Sequence, residues 1–399
     1  MSSRLWLLLI VAITIAVRLP TMFGVNRTGW DERAYVVFAK TVNDHGLTGI
    51  RKWMHDYPTD ETLQRSPLLL RIGFLIPGIA TCKLLGGFTV DNLAWLSFFC
   101  GVALVVVSAL FAEQLGGRKV AIVCAILLIT SPLAAGLSRR AMQDSFASLV
   151  LVGCLYCFDL CWRRRGVIAP IFLGLCLYIA LLTRESALLL YPVMAIAAVY
   201  YFRAMKLRTS WWLLAPLFAA PLLYIVTEAI ICGGIGNFIE TYQTYASLQQ
   251  TLEYTVRYEK GPWFRYLVDL LAIAPVIFVG AIIGLSIPPT DDASRHGRNL
   301  AVIYLVAGIL LFAQLPIINV RLVLFVDMFL RLGAALAVLY IASQLGKNRA
   351  VWILPALIAL FMLIDASQFY KIFVAGNTYS PTTFLLLRAE GFYDTPLTR

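Results

Sequence analysis

Residues 67–85 read PLLLRIGFLIPGIATCKLL, and whether this stretch crosses a membrane decides the topology of the whole chain. It is long and apolar enough to span, yet it holds Arg71, Pro77 and Lys83. The apolar stretches around it are clearer. They run over 5–23, 92–113, 119–137, 145–162, 167–183, 187–202, 211–232, 264–287, 300–318, 322–345 and 351–367. If 67–85 does not span and the N-terminus is cytoplasmic, every short cytoplasmic connection is basic. The residues are Arg118 and Lys119; Arg163, Arg164 and Arg165; Arg203, Lys206 and Arg208; Arg295 and Arg298; and Lys347 and Arg349. If it does span, the run Arg163 to Arg165 moves to the far side and the positive-inside pattern inverts. The first topology is the expected one: roughly 11 spans, with 67–85 lying in or dipping into the outer interface.

Composition agrees with this class. Hydrophobic residues make up 60% of the chain and charged residues 14%, with a mean hydropathy of +0.80. A soluble domain is far more polar. The net charge of +11 is spread over many short loops, which excludes a nucleic-acid surface. Leu5 to Val17 follows Arg4 without a small-x-small cleavage pattern, so a retained first helix is expected rather than a signal peptide. The eight cysteines form no disulfide framework; Cys154, Cys157 and Cys161 share one helical face and read as small packing residues. The expected fold class is an all-α polytopic membrane protein forming a single domain over 1–399. Its external parts are a loop over 24–91 with interfacial helices, a loop over 233–263 and a short tail over 368–399.

The external face holds the candidate chemistry. The first loop opens Trp30-Asp31-Glu32-Arg33-Ala34-Tyr35, and Asp31, Ala34, Tyr35 and Phe38 share one side of a short helix running to about Val42. Adjacent carboxylates beside a membrane favour a polar cavity. There one of them suits a general base; acidic residues that simply favour a helix N-terminus read equally well. A second external turn carries Ser138-Arg139-Arg140-Ala141-Met142-Gln143-Asp144. Arginines on an outer loop run against the charge rule, and an anionic partner such as a phosphate explains them; simple interfacial anchoring is the alternative. A third turn is Thr183-Arg184-Glu185-Ser186, and Arg65 precedes Ser66-Pro67-Leu68. Carboxylates for proton transfer beside arginines for a departing phosphate suit transfer of a group from a lipid phosphate. His45 and His55 would suit a divalent metal held with a carboxylate, though nothing in their spacing to Asp31 is diagnostic. No nucleophile elbow, phosphate-binding glycine loop or zinc signature occurs.

Taken in order, these motifs resemble the GT-C membrane glycosyltransferases, most closely the protein O-mannosyltransferase and aminoarabinose-transferase type. Asp31 and Glu32 match the family's acidic pair, Tyr35 the tyrosine after it, and Asp144 the second outer-loop aspartate, with Arg139 upstream. Arg184 stands where the family has a basic residue at a span end, and Gly261-Pro262-Trp263 with Tyr266 resembles a segment entering a later span. Two elements depart from the pattern: Arg65-Ser66-Pro67-Leu68 lacks a proline, and Arg321-Leu322-Val323-Leu324-Phe325 lacks a tyrosine and a proline. The family's frequent C-terminal soluble domain has no expected counterpart.

The resemblance implies a GT-C-like bundle and a glycosyltransferase with a polyprenyl-phosphate sugar donor and a glycan, lipid or protein acceptor. Asp31, Glu32 and Asp144 would be catalytic, and Tyr35, Arg65, Arg139, Arg184 and Arg321 would bind substrate. The expected location is a bacterial inner membrane, with the active site outside. A transporter or flippase of lipid-linked sugars is the alternative. It rests on the ionisable residues within spans, Glu228, Asp327, Arg331 and Asp365, of which Asp327 and Arg331 are spaced to pair.

Overall fold

The computed structural model describes residues 5–64, 68, 70–163, 166–206, 212, 214–288, 292–345 and 347–392. Arg65, Arg164, Arg165 and Arg208 lie outside them. The described residues form helices and turns, with no strand. Among the described residues, seven helices are long and apolar enough to cross a bilayer, or eight if one bent pair counts as a single span. The chain is an integral, multi-pass membrane protein. Two expected spans, 92–113 and 119–137, run together in Val90–Ile129, broken only at Gly117 (φ +79). The expected 167–183 span is the shorter helix Ile168–Thr183.

The stretch that decided the topology is the helix Ile72–Leu84. Its 13 residues measure about 20 Å at the α-helical rise, against a hydrocarbon core of about 30 Å. Alone it is too short to span. The expected 264–287 span is not one straight helix. It consists of Arg265–Ile273 and Pro275–Ser286, bent by 113°. Pro275 has no N–H to continue the first helix and forces Ala274 out of the helical region (φ −142, ψ 67). Proline is, however, well suited to start the second.

The described chain divides into two compact units. One comprises residues 1–25, 101–137 and 261–399; the other comprises 26–100 and 138–260. In the first, Pro275–Ser286 packs along Asp327–Gln344 with almost no side chain between the backbones. A Cβ on Gly284 would meet the Ala337 N at 2.7 Å. Small residues allow this approach in membrane helices.

The same unit buries a charge network. Arg331 Nε lies 3.1 and 3.0 Å from the two Asp327 oxygens, and its Nη1 donates to Asp365 Oδ2 (2.5 Å) and to the Leu127 carbonyl (2.6 Å). Ser131 donates to Asp327 Oδ2 (2.6 Å). Arg18 donates to the Ile129 and Leu128 carbonyls (3.0 and 2.6 Å). The expected pairing of Asp327 with Arg331 is present, and Asp365 joins it.

In the second unit, Ile168–Thr183 packs against Asp144–Arg163, Leu214–Cys232 and Ile72–Leu84. The first-loop helix runs past Val42 as Trp30–Asp56, with a break at Gly46 (φ +56). The expected loop over 233–263 contains a further helix, Ile235–Thr251, packed on Trp30–Asp56 and Leu214–Cys232.

Candidate active site

The site is assembled within the second unit at the start of the Trp30–Asp56 helix. Ala34, Tyr35, Phe38 and Ala39 form its buried face, while Asp31 remains partly exposed at its first turn. Glu32 faces inward and is fully buried. Its Oε2 accepts from the Gly29 N–H (3.1 Å), the reciprocal half of a capping box. Its Oε1 accepts from the Ala141 N–H (3.1 Å), and Arg140 lies 3.5 Å from Oε2. Arg140 also donates to the Asn26 carbonyl (2.8 Å). Burial pushes the Glu32 carboxyl above its usual range, against Arg140 and the two N–H groups. Glu32 therefore pins the helix start to the turn that carries Asp144.

That turn is braced further. Ser97 donates to the Met142 carbonyl (2.7 Å), and Arg27 donates to the Arg139 carbonyl (2.9 Å) while pairing with Asp91. Arg139 is buried beside two other cations. Burial first, then Arg140 and Arg27, bring its guanidinium down to about 10. It stays charged at neutral pH.

Asp144 opens the Asp144–Arg163 helix and pairs with Arg184 Nη2; both side chains are buried. Arg184 follows the Ile168–Thr183 helix in an extended conformation (φ −159). Its other terminal nitrogen, Nη1, is buried with no hydrogen-bond partner among the described residues. Tyr35 links the two carboxylates, since the charges of both Asp31 and Asp144 act on its phenol. Burial pushes that phenol up to about 12, opposed by the Arg71 guanidinium and aided by the two carboxylates. Arg184 thus contacts Asp144, and the charges of both Asp31 and Asp144 reach Tyr35.

Arg71 was read in the sequence only as a mark against spanning. It stands just before the Ile72–Leu84 helix, donates to the Tyr35 hydroxyl and lies 3.5 Å from the Tyr245 hydroxyl. With the Gln143 amide oriented to donate to the Thr183 carbonyl (2.7 Å), its oxygen accepts from Arg71 Nη1 (3.0 Å). The segments bearing Arg71 and Arg184 meet at Gly73, where a Cβ would lie 2.8 Å from the Ile179 carbonyl and collide with Thr183. A charged residue in an apolar stretch was the available signal for Arg71.

Arg321 belongs to the other unit, where its guanidinium lies 6.0 Å over the Tyr379 ring and its N–H donates to Asn319 (3.1 Å). Tyr266 of the Gly261-Pro262-Trp263 segment is buried there too. His45 and His55 are exposed, with His55 3.3 Å from Asp56. Among the described residues, no three His, Cys, Asp or Glu side chains gather as a metal site requires.

No protein-family model and no curated protein sequence matches the chain. Solved structures do. ArnT from Cupriavidus metallidurans, an aminoarabinose transferase, is similar in the apo state over 97% of this chain and 85% of its own, with 14% identity and a TM-score of 0.59. Its structure bound to undecaprenyl phosphate matches 97% of this chain and 77% of its own, with 15% identity and a TM-score of 0.63. The Archaeoglobus fulgidus oligosaccharyltransferase tethered to an acceptor peptide containing the NVT sequon matches 91% of this chain, with 14% identity and a TM-score of 0.65. The chain spans 55% of that enzyme's length. At such identities the likeness concerns architecture alone, and that architecture is the GT-C fold shared by these membrane glycosyltransferases.

Proposed function

We propose that the chain transfers a sugar from a polyprenyl-phosphate donor to an acceptor hydroxyl or amine on the non-cytoplasmic face of a bacterial cell membrane. The observation that carries this reading is the buried Asp144–Arg184 pair, in which Arg184 keeps one buried nitrogen without a partner among the described residues, near a Tyr35 on which the charges of Asp31 and Asp144 both act. The undecaprenyl phosphate held by the similar ArnT structure supports the class of donor.

Asp31 takes the proton from the acceptor, and the freed oxygen or nitrogen attacks the anomeric carbon. The bond from that carbon to the phosphate oxygen breaks, and the lipid phosphate leaves with the electron pair, inverting the centre. Arg184 Nη1 and the guanidinium of Arg139 receive the growing negative charge. Arg65 has the chemistry for the same task. Asp144 fixes Arg184, and Glu32 acts as a positioning residue. The transporter reading is weakened at three of its four residues, since Asp327 and Asp365 both pair with Arg331 in one buried network.

The test is Asp31→Asn in the full chain, reconstituted with polyprenyl-phosphate sugar and acceptor. Transfer is expected to fall by about 10²–10⁴-fold while insertion and thermal stability are kept. Undiminished transfer by the variant removes the base.

A further inference from the structure

The transfer step leaves Glu185 and Glu228 without a role. Glu228 lies on the Leu214–Cys232 helix, fully buried, and neither of its oxygens meets a donor among the described residues. Such a carboxylate is strongly disfavoured unless something else supplies donors.

Its surroundings lead back to the active site. One turn earlier on the same helix, the Tyr224 hydroxyl lies 2.8 Å from that of Tyr242. Tyr242 and Tyr245 share a face of the Ile235–Thr251 helix, and Tyr245 reaches Arg71, which holds Tyr35. A continuous run of polar side chains therefore joins Tyr35 to Glu228. Glu185 lies near it: its charge acts on Arg71, Tyr245, Tyr242 and Glu228, and its Oε1 is buried without a partner among the described residues.

The protein thus offers acceptors in excess of donors, beside aromatic rings. A polyhydroxylated ring complements this, because its hydroxyls donate to carboxylates while its C–H face packs on tyrosine. A hydroxyl also satisfies Glu228 in either protonation state, being donor and acceptor at once, whereas an ammonium serves only the ionised form. We infer that Glu228, with Glu185 and Tyr242, forms the subsite that recognises hydroxyl groups of the transferred sugar. The inference rests on the transfer reaction proposed above and makes Glu228 a specificity residue.

The full chain in lipid nanodiscs provides the test. The probes are undecaprenyl phosphate without sugar and undecaprenyl-phosphate donors bearing a pentose, a hexose, its monodeoxy forms or an amino form. Binding is read by native mass spectrometry and transfer by product formation. The unaltered chain is expected to bind its preferred hydroxylated donor more tightly than the sugar-free lipid and to reject a monodeoxy form. Glu228→Leu should weaken the preferred donor by about 10–100-fold, leave the sugar-free lipid unchanged and erase the discrimination. Glu228→Gln, which keeps an acceptor, should be intermediate, and it carries the same comparison if the leucine variant fails to insert.

Unchanged discrimination in both variants overturns the subsite, as does equal weakening of the sugar-free lipid. A preference for the amino donor that disappears in Glu228→Leu replaces the hydroxyl reading with an ammonium one. Discriminating binding without product from any donor and acceptor leaves the subsite standing and defeats the transfer reading.

Discussion

Each unit buries a cluster of arginines and acids, and the two clusters are built on opposite terms. In the first, Arg18 and Arg331 are set against Asp327 and Asp365, the charges cancel, both acids receive donors, and one nitrogen, Arg331 Nη2, has no partner among the described residues. In the second, Arg184 spends one nitrogen on Asp144 and keeps another, while Glu185 and Glu228 hold oxygens with no donor. Buried charge is therefore not in itself a mark of function. A cluster whose acids are met by donors is a strut between helices; one whose carboxylates lack donors still has bonds to offer a ligand.

The contrast can be broken by mutation. The largest effect is expected from Arg331→Met, which leaves Asp327 and Asp365 buried without their cation. Removing one partner of a buried pair costs about 3–5 kcal/mol, and the thermal unfolding midpoint in detergent should drop accordingly. An unchanged midpoint would deny the network its structural role. Tyr35→Phe comes next. It takes one hydroxyl from Arg71, a bond to a charged group worth about 1.5–3 kcal/mol. The expected result is a loss of transfer of about tenfold or more, and full activity would detach Arg71 from the chemistry. Smallest is the stability effect of Glu228→Leu. Replacing a carboxylate that has no partner with an apolar side chain should leave the midpoint unchanged or raise it. A marked fall would place Glu228 among the struts.

Much of this was legible in the sequence wherever a single helix decides the matter. Asp327 and Arg331 are four residues apart and pair as spacing requires. The face made by Asp31, Tyr35 and Phe38 is plain periodicity. Partners from other helices were not legible: Asp365 and the Leu127 carbonyl complete the network from elsewhere in the chain. Arg71 and Tyr245 stay hidden when 67–85 is weighed only for spanning and 233–263 is expected to be a loop. Ile235, Phe238, Ile239, Tyr242 and Tyr245 repeat at helical spacing, and that signal was present. The 113° bend in 264–287 escaped hydropathy, which is blind to a proline inside an apolar run, although Pro275 stood in view.

Gly73 gives the site a vulnerability that no catalytic motif displays. The neighbouring obstacle is backbone as well as side chain, so it cannot swing aside. The close approach of the segments that carry Arg71 and Arg184 is thus set by a residue with no side chain at all. A single methyl group would act there as a shim, parting the two segments while every polar side chain of the site stayed chemically intact.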